Sequence, residues 1–424
     1  MESPLIQKSW NKNLNQLDIV YPNLYYGGVY CLAPLIIYNI VNNQKNWLCK
    51  RHFLDKNNLT SNLIGFTFQY EPDYYNFFKI LKQNDIPKHK NRKQIIFAGG
   101  PCINQNPGTL AEHIDFFLLG EAEISLIKVL KIYEKIKDKE KFLKAISNIP
   151  GIYIPKISKK NYTYLESLDK IPYPIYQPFP EETSKDFVFG KVFILETERG
   201  CPFNCKFCSI SRKPRYRSLN SIKKIIDQGT KINKRNKVII YSPSFTHPKR
   251  KEILKYLIKG DLEFSVPSIK AELADEELLI LIKQGNQKTL TIAPEANEYL
   301  RFKIDKKVKD EKYFQFIGLA NKLNFKRLKC YFLVGLPDQT ESDLKEMINL
   351  INEFKKRFNG RISLSINPLT PKPGTEFENI KFNKSGIKQQ YHYLKKNLKI
   401  KFKMPNLNQS YLEYKLAHMK TWSL

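Results

Sequence analysis

Between Val192 and Ile366 the chain has six short apolar runs, and a segment of helical length separates each run from the next. The strand-like runs are Val192 to Thr197, Val238 to Tyr241, Leu262 to Val266, Thr289 to Ile292, Lys329 to Val334 and Ile362 to Ile366. Helices are predicted between them at Ser221 to Lys231, Lys249 to Ile258, Asp275 to Gln284, Asp310 to Lys322 and Glu341 to Phe358. This alternation is typical of parallel strands covered by helices. It predicts a partial (β/α)6 barrel over residues 191–378, with functional residues at the carboxyl ends of the strands.

The first 148 residues show a similar alternation with fewer elements. Apolar runs at Leu17 to Val20, Leu63 to Phe68, Ile95 to Ala98 and Phe116 to Leu119 are separated by helix-length segments, Val29 to Asn42, Tyr74 to Gln83 and Ile124 to Lys137. This pattern predicts a doubly wound, Rossmann-like α/β domain over residues 1–148. Residues 149–190 contain six prolines and read as an extended linker. Residues 379–424 are expected to form a C-terminal helical extension.

Three cysteines directly follow the first strand of the predicted barrel. Cys201, Cys205 and Cys208 form a Cys-x3-Cys-x2-Cys cluster. Three thiolates on one loop can bind three irons of a cubane 4Fe–4S cluster and leave the fourth iron without a protein ligand. A structural zinc site, the alternative, needs four ligands, and the next histidine, His247, lies beyond a predicted helix and strand. The ligand count and spacing therefore favour an iron–sulfur cluster over zinc.

The cysteine loop resembles the signature of the radical S-adenosylmethionine (radical SAM) superfamily. That signature is Cys-x3-Cys-x-aromatic-Cys, and Phe207 stands at the aromatic position. In the family, the amino and carboxylate groups of SAM chelate the open iron. One electron from the cluster then cleaves SAM to a 5′-deoxyadenosyl radical. The resemblance therefore implies a 4Fe–4S cluster, SAM, and an electron donor such as ferredoxin or flavodoxin.

Further motifs are similar to one branch of this superfamily, which carries N-terminal cobalamin-binding domains and is related to the YgiQ-like proteins. They are Ile-Pro-Tyr-Pro at 171–174, Ala-Pro-Glu-Ala at 293–296 and Gly-Leu-Pro at 335–337. The branch implies cobalamin-dependent C-methylation of an unknown substrate. One alternative is a cobalamin-independent radical SAM enzyme whose N-terminal domain recognises the substrate, and another is a non-catalytic iron–sulfur RNA-binding protein. No Asp-x-His-x-x-Gly motif is present to supply a lower axial ligand.

Five residues near the strand ends are candidates for binding SAM. Arg301 suits the carboxylate, because a guanidinium binds carboxylate bidentately. Glu295 is expected at the ribose hydroxyls or the ammonium group, and Ser268 at the amino acid moiety. Phe207 is expected to pack on the cluster or adenine, and Gly335 to let the chain turn close to adenine.

A second set of candidates follows the strands of the N-terminal domain. Tyr70, Gly99, Gly100, Gly120 and Glu121 lie at the predicted carboxyl ends of these strands, where doubly wound sheets bind their ligands. Glycine lets a ligand approach the backbone closely. These five residues are the predicted cobalamin cleft.

The chain is strongly basic, with 71 Lys and Arg against 41 Asp and Glu and a formal net charge of +30. Such a charge favours an acidic partner surface, either RNA or an acidic protein. The basic residues concentrate after the cysteines, at Arg212, Lys213, Arg215 and Arg217, and again from Lys395 to Lys403.

The cysteines and the hydropathy pattern indicate a reducing compartment. Seven cysteines, an odd number, do not suggest a disulfide framework, and Cys31, Cys49, Cys102 and Cys330 are expected to be small buried hydrophobes. No signal peptide is apparent, and the most apolar early run, 29–41, is too short to span a bilayer. We expect a cytoplasmic enzyme without membrane contact.

Overall fold

The computed structural model describes residues 8, 11, 13–180, 187–210 and 212–422, with backbone only at position 212. They divide into two compact units. The first comprises the described residues up to Lys191, together with Lys231–Lys234 and the described residues from Lys415 onward. The second comprises Val192–Thr230, apart from residue 211, and Arg235–Tyr414. The described residues of the segment predicted as a separate linker thus belong to the first unit.

The first unit is built on one six-stranded sheet. Its strands are β1 (Asn15–Tyr21), β2 (Trp47–Phe53), β3 (Leu63–Thr67), β4 (Ile95–Gly99), β5 (Phe116–Leu118) and β6 (Ile152–Tyr153). Its helices are α1 (Tyr25–Gly28), α2 (Leu32–Asn42), α3 (Asp73–Gln83), α4 (Pro101–Gln105), α5 (Ala122–Lys135) and α6 (Lys139–Ile146). The spatial order is β2-β1-β3-β4-β5-β6, parallel throughout except for β6. The order reverses between β1 and β3.

Apolar side chains on both faces of this sheet hold the helices in place. On one face, Leu17 and Leu63 share a buried cluster with Val41 of α2 and Val129 of α5. On the other face, the ring of Phe66 meets Phe77 of α3 at a centroid distance of 4.8 Å. The alternation of side chains along each strand thus supplies two separate apolar surfaces.

The segment predicted as a linker packs onto this sheet. β6 pairs with β5, placing Ile152 opposite Leu118, and Thr163 bridges to Gly120. Leu168 is fully buried. Apolar residues between the prolines of the predicted linker therefore find partners on the sheet edge.

The second unit contains the predicted barrel strands. Its strands are β7 (Phe193–Glu196), β8 (Glu198–Cys201), β9 (Arg212–Tyr216), β10 (Lys237–Tyr241), β11 (Glu263–Ser265), β12 (Thr289–Glu295), β13 (Arg327–Val334), β14 (Arg361–Pro368) and β15 (Phe402–Lys403). The helices lying wholly or mostly in it are α7 (Leu219–Asn233), α8 (Arg250–Lys259), α9 (Glu276–Gln284), α10 (Glu298–Lys303), α11 (Asp310–Lys322), α12 (Glu341–Arg357), α13 (Lys384–Asn397) and α14 (Leu407–Ala417).

All six predicted barrel strands are present, as β7 and β10–β14, in two parallel sheets. The orders are β11-β10-β7 and β12-β13-β14-β15. Between β11 and β12 the strands do not pair directly. Instead, the Gln287 side chain accepts a hydrogen bond from Val266 N (2.7 Å), and Ile269 N donates to Thr291 O (2.8 Å).

Two features of this unit depart from the sequence prediction. β15 extends the second sheet beyond β14, so part of the expected helical extension at 379–424 belongs to the barrel sheet. β8 and β9 form an antiparallel hairpin, and Cys201 is the last residue of β8. The hairpin escaped prediction because its sequence is polar and lacks an apolar run.

The cysteines outside the cluster are largely buried, as expected. None of the seven forms a disulfide. Cys49, Cys102 and Cys330 are buried, and burial raises the pKa of the half-buried Cys31 to about 12. In the described part of the chain, every helix is too short or too polar to cross a bilayer.

Candidate functional site

The three cluster cysteines line one cavity in the second unit. Ser268, Lys270, Glu295 and Lys306 lie on the same wall. These residues come from the β8 hairpin, the segment after β11, the end of β12 and the loop after α10. The carboxyl ends of neighbouring strands therefore converge here, as expected for a barrel of parallel strands.

A buried ion-pair network fixes the start of the cysteine loop. Glu196 accepts hydrogen bonds from Arg199 (2.6 Å) and from Arg217 (2.9 Å). Gly200 separates Arg199 from Cys201 with a φ of +80°, a conformation that favours glycine. The carboxylate on β7 thus sets the direction in which the chain enters the cysteine loop.

Two ammonium groups lie near the buried thiol of Cys205. Burial raises the pKa of Cys205, and the positive charges of Lys270 and Lys306 act in the opposite direction. Ser244 lies with its hydroxyl oxygen 3.5 Å from the Cys201 sulfur. The donor set therefore consists of three thiols on one cavity wall, with two ammonium groups and a hydroxyl nearby, and this set fits a cubane cluster.

Within the described ranges, no three or more His, Cys, Asp or Glu side chains are arranged to hold a single metal ion. The thiolates of a cubane bind three different irons, so a cubane does not require them to meet at one point.

The buried carboxylate of Glu198 holds the loop that carries Ser244. One oxygen of Glu198 accepts hydrogen bonds from the Ser242 hydroxyl (2.8 Å) and from Thr246 N (2.7 Å). Phe245, between them, has a φ of +47°, a conformation that costs roughly 1–2 kcal/mol for a residue with a side chain. Ser244 therefore faces the cavity through a strained turn that Glu198 stabilises.

Glu295 and Lys306 form a buried ion pair on the cavity wall. The Lys306 ammonium lies 2.9 Å from a carboxylate oxygen of Glu295. Glu295 has a φ of +70° and follows an irregularity in the pairing of β12 with β13. Strained backbone of this kind is common at binding sites. The structure thus brings Glu295 to the cavity, as the sequence predicts.

Two other predicted residues also lie at the cavity. Ser268 is on its wall. Phe207 lines it too and packs against the apolar cluster that contains Ala296, Leu300 and Leu336. Their positions are those that the sequence predicts, and their roles towards SAM stay predictions.

The position of Arg301 contradicts its predicted role. Its guanidinium is fully buried, pairs with Asp310 at 2.7 Å and donates to the backbone oxygens of Pro294, Ala296 and Val308. Arg301 is not part of the cavity wall. It holds the turn that follows β12, and four of its five N–H donors are used within the protein.

Gly335 also serves the fold and lies outside the cavity wall. It has a φ of +74°, and a Cβ there would lie 2.7 Å from the Ile387 side chain. Its amide donates to the side chain of Gln390 (2.7 Å). The glycine is therefore required by close packing against α13, and no contact with adenine follows from its position.

In the first unit, the chain itself fills the space beside the glycines predicted to form a cobalamin cleft. A Cβ on Gly100 would lie 2.5 Å from Phe68 O, and one on Gly120 would lie 2.2 Å from Thr163 O. On Gly99, a Cβ would lie 3.3 Å from Leu118 O. These glycines admit neighbouring backbone and not a ligand.

The other two cleft candidates do not restore a ligand site. The Glu121 carboxylate accepts a hydrogen bond from Leu165 N at 2.6 Å. Tyr70 is 38% exposed. The three glycines and Glu121 thus contact the chain itself, and their positions do not support a cobalamin cleft.

The basic run after the cysteines is partly internal. Arg217 is buried in its ion pair with Glu196, so it cannot contribute to a surface for a polyanion. Sequence reasoning assigned no role to Lys306 or Ser244, because neither lies in a recognisable motif. Lys270 follows the predicted strand Leu262 to Val266, and this strand-end position could have identified it as a residue of the cavity wall.

Comparisons with known proteins show which families and proteins this chain resembles. The model of the Radical SAM superfamily matches residues 195–351, and the model of Radical SAM proteins, N-terminal, matches residues 59–155. An uncharacterized protein of Methanocaldococcus jannaschii is 36% identical over 92% of this chain and 84% of its own length. An uncharacterized methyltransferase of Pyrococcus horikoshii is 26% identical over 68% of this chain and 63% of its own. The crystal structure of Streptococcus suis SuiB bound to S-adenosylmethionine is 14% identical, with a TM-score of 0.38 over 53% of this chain and 52% of SuiB.

Proposed function

The chain belongs to the radical SAM superfamily, and we propose that it cleaves SAM reductively in the cavity lined by Cys201, Cys205 and Cys208. The observation that carries this proposal is the convergence of three thiols, Lys270 and the Glu295–Lys306 pair on one wall. When bound, the cluster supplies the electron that converts SAM to methionine and a 5′-deoxyadenosyl radical. An electron donor such as ferredoxin or flavodoxin would supply that electron.

We assign chemical groups of SAM to several polar side chains of the cavity. We assign the SAM carboxylate to Lys270, which lies on the cavity wall with its ammonium 4.1 Å from the centre of the Phe203 ring. Glu295 is assigned to the ribose hydroxyls or the ammonium group, and Ser268 to the amino acid moiety. Phe207 offers the apolar surface on which adenine packs.

For the reaction itself, we propose hydrogen abstraction from a carbon of the substrate, without cobalamin. This choice follows from the glycines of the first unit, whose neighbouring space holds Phe68 and Thr163. The first unit then serves as a substrate-recognition module. Methyl transfer to the activated carbon is the second candidate, favoured by the relative named a methyltransferase. A cluster held by three free cysteines needs reduced thiols, and this requirement supports a reducing, cytoplasmic location.

The test begins with protein reconstituted with iron and sulfide in the absence of air. Dithionite and SAM are added, and 5′-deoxyadenosine and methionine are measured by chromatography. We expect both products from the wild type and neither from Cys205→Ala. A wild-type sample with an intact cluster and no 5′-deoxyadenosine would contradict the proposal and favour a non-catalytic iron–sulfur protein. A corrinoid retained through purification would contradict the cobalamin-independent assignment.

A further inference from the structure

One face of the sheet β12–β15 is partly open to solvent. Along these strands exposure alternates, so that residues such as Leu290, Cys330 and Ile366 are buried against helices. The opposite side, here called the open face, consists of the odd-numbered residues of 289–293, 327–333 and 361–367, together with Lys403. All of these residues are at least partly exposed. The face is therefore an accessible surface within a single unit.

The open face is basic beyond the average of the chain. Four of its 12 positions are cations, Arg327, Lys329, Arg361 and Lys403, and none is an acid. Over the whole sequence, 71 of 424 residues are Lys or Arg and 41 are Asp or Glu. In the described part of the chain, none of these four cations forms an ion pair with a carboxylate. The excess charge is thus available to a ligand.

Strand register places hydroxyl groups beside these cations. Lys329 is opposite Thr291 on one side and Ser363 on the other. One row further along, Tyr331 is opposite Ser365, which is opposite Lys403. Neighbouring strands lie about 4.8 Å apart, so each row presents a cation and hydroxyl groups within reach of one ligand.

Tyr331 is the aromatic residue of the open face. The Lys329 ammonium lies 4.7 Å from the centre of its ring. An accessible aromatic ring among cations is the arrangement by which proteins bind single-stranded nucleic acid, since bases stack on the ring and phosphates meet the cations. An acidic peptide would pair with the cations of the open face, but it has no base to stack on the Tyr331 ring.

The open face continues into the cavity that holds the cysteines. Ala293 is both its last residue on β12 and part of the cavity wall. Thr291 precedes it by two residues, about 7 Å along the strand. A strand of nucleic acid lying on the open face would therefore bring a nucleotide to the mouth of the cavity.

We propose that the open face binds single-stranded RNA, the substrate class of this enzyme. Bases stack on Tyr331, phosphates pair with Lys329, Lys403, Arg327 and Arg361, and the hydroxyls of Thr291, Ser363 and Ser365 meet the ribose 2′-hydroxyls, which distinguish RNA from DNA. The role as substrate rests on the proposed radical chemistry, whereas RNA binding itself does not.

The test measures the affinity of the full-length, cluster-reconstituted protein for a fluorescein-labelled oligouridylate by anisotropy at several salt concentrations. We expect Tyr331→Ala to weaken binding about 5- to 100-fold and Tyr331→Phe to restore it. Replacing Lys329 and Lys403 together by Gln should reduce the slope of log affinity against log salt by about 1.4, since each phosphate contact on a single strand contributes about 0.7. Replacing Lys355 and Lys356 together by Gln, on the exposed surface of α12, is the matched control and should change neither quantity.

Several outcomes would overturn the proposal. The first is equal binding of oligodeoxythymidylate. The second is a loss of affinity in the Lys355/Lys356 variant equal to that in the Lys329/Lys403 variant. The third is Tyr331-independent binding of polyglutamate in preference to RNA. Formation of 5′-deoxyadenosine from SAM is measured on the same preparations. If SAM is cleaved and RNA is not bound, only this inference fails. If RNA is bound and SAM is not cleaved, the proposed enzymatic function fails, and with it the role of RNA as substrate.

Discussion

The hydroxyl oxygen of Ser244 lies 3.5 Å from the sulfur of Cys201. Ser244 is buried, and the turn that carries it is held by Glu198. A hydroxyl that donates to a cluster thiolate favours the reduced, more negative form of the cluster. Ser244 is thus in a position to adjust how easily the cluster accepts an electron.

Removing this hydroxyl should lower the reduction potential of the cluster. For Ser244→Ala we expect a decrease of about 20–60 mV, the equivalent of one hydrogen bond of 0.5–1.5 kcal/mol for a one-electron couple. Ser244→Thr should keep most of the wild-type potential. The measurement is a redox titration followed by electron paramagnetic resonance. An unchanged potential in Ser244→Ala, with the cluster intact, would rule out this role.

Lys270 should contribute to SAM binding. Lys270→Met is expected to weaken SAM binding about 10- to 100-fold, because a charged hydrogen bond to the carboxylate is lost. Anaerobic calorimetry on reconstituted protein gives the affinity, and the absorbance of the cluster shows whether it is intact. Lys303→Met, at an exposed position of α10, serves as the control and should bind SAM normally. Equal affinities in the two variants would refute the assignment of the carboxylate to Lys270.

Arg301 should matter for stability and not for SAM affinity. Arg301→Met leaves Asp310 and three backbone oxygens without their donor, and we expect a loss of about 3–5 kcal/mol in the free energy of unfolding. Chemical denaturation measures this loss, with Lys303→Met as the reference on the same helix. A variant of normal stability that binds SAM weakly would reinstate Arg301 as a ligand.

Asp73 should make the stability of the first unit depend on pH. Burial raises the pKa of Asp73 from 3.8 to about 6, with a smaller contribution from Glu71, and hydrogen bonds from Asn23 and Asn76 oppose the shift. Because the folded state holds the proton more tightly than the unfolded state, this group's contribution to stability falls as pH rises from about 4 to about 6. Asp73→Asn removes the effect. Relative to the wild type, the variant should therefore gain on the order of 2 kcal/mol between pH 4.5 and pH 7.5. Urea denaturation at both pH values provides the measurement, and a constant difference would contradict it.

The sequence predicted the elements whose apolar pattern is continuous. The helix predicted at Asp310 to Lys322 has these bounds in the structure, and Thr289 to Ile292 begins β12 at the predicted residue. β2 escaped prediction because Lys50, Arg51 and His52 interrupt its apolar run. β2 is the edge strand of its sheet, so it pairs with a neighbouring strand on one side only and tolerates more polar residues.

Residues of the candidate site could be predicted only where a recognisable motif or a strand-end position marked them. The cysteine spacing and the strand-end position of Glu295 led to residues that do line the cavity. Arg301 was misassigned because sequence spacing does not reveal that Asp310 and three carbonyl oxygens already use its guanidinium. The glycines of the first unit were misassigned for a related reason, since the approaching backbone comes from Phe68 and from the distant Thr163.

The short strand β15 joins its sheet through two residue pairs, Leu364 with Phe402 and Ser365 with Lys403. This strand adds Lys403 to the open face, whereas Tyr331 and the other three cations lie on β13 and β14. A chain that ended before β15 would therefore keep the ring and most of the charge of this surface, and it would lose the cation beside Ser365.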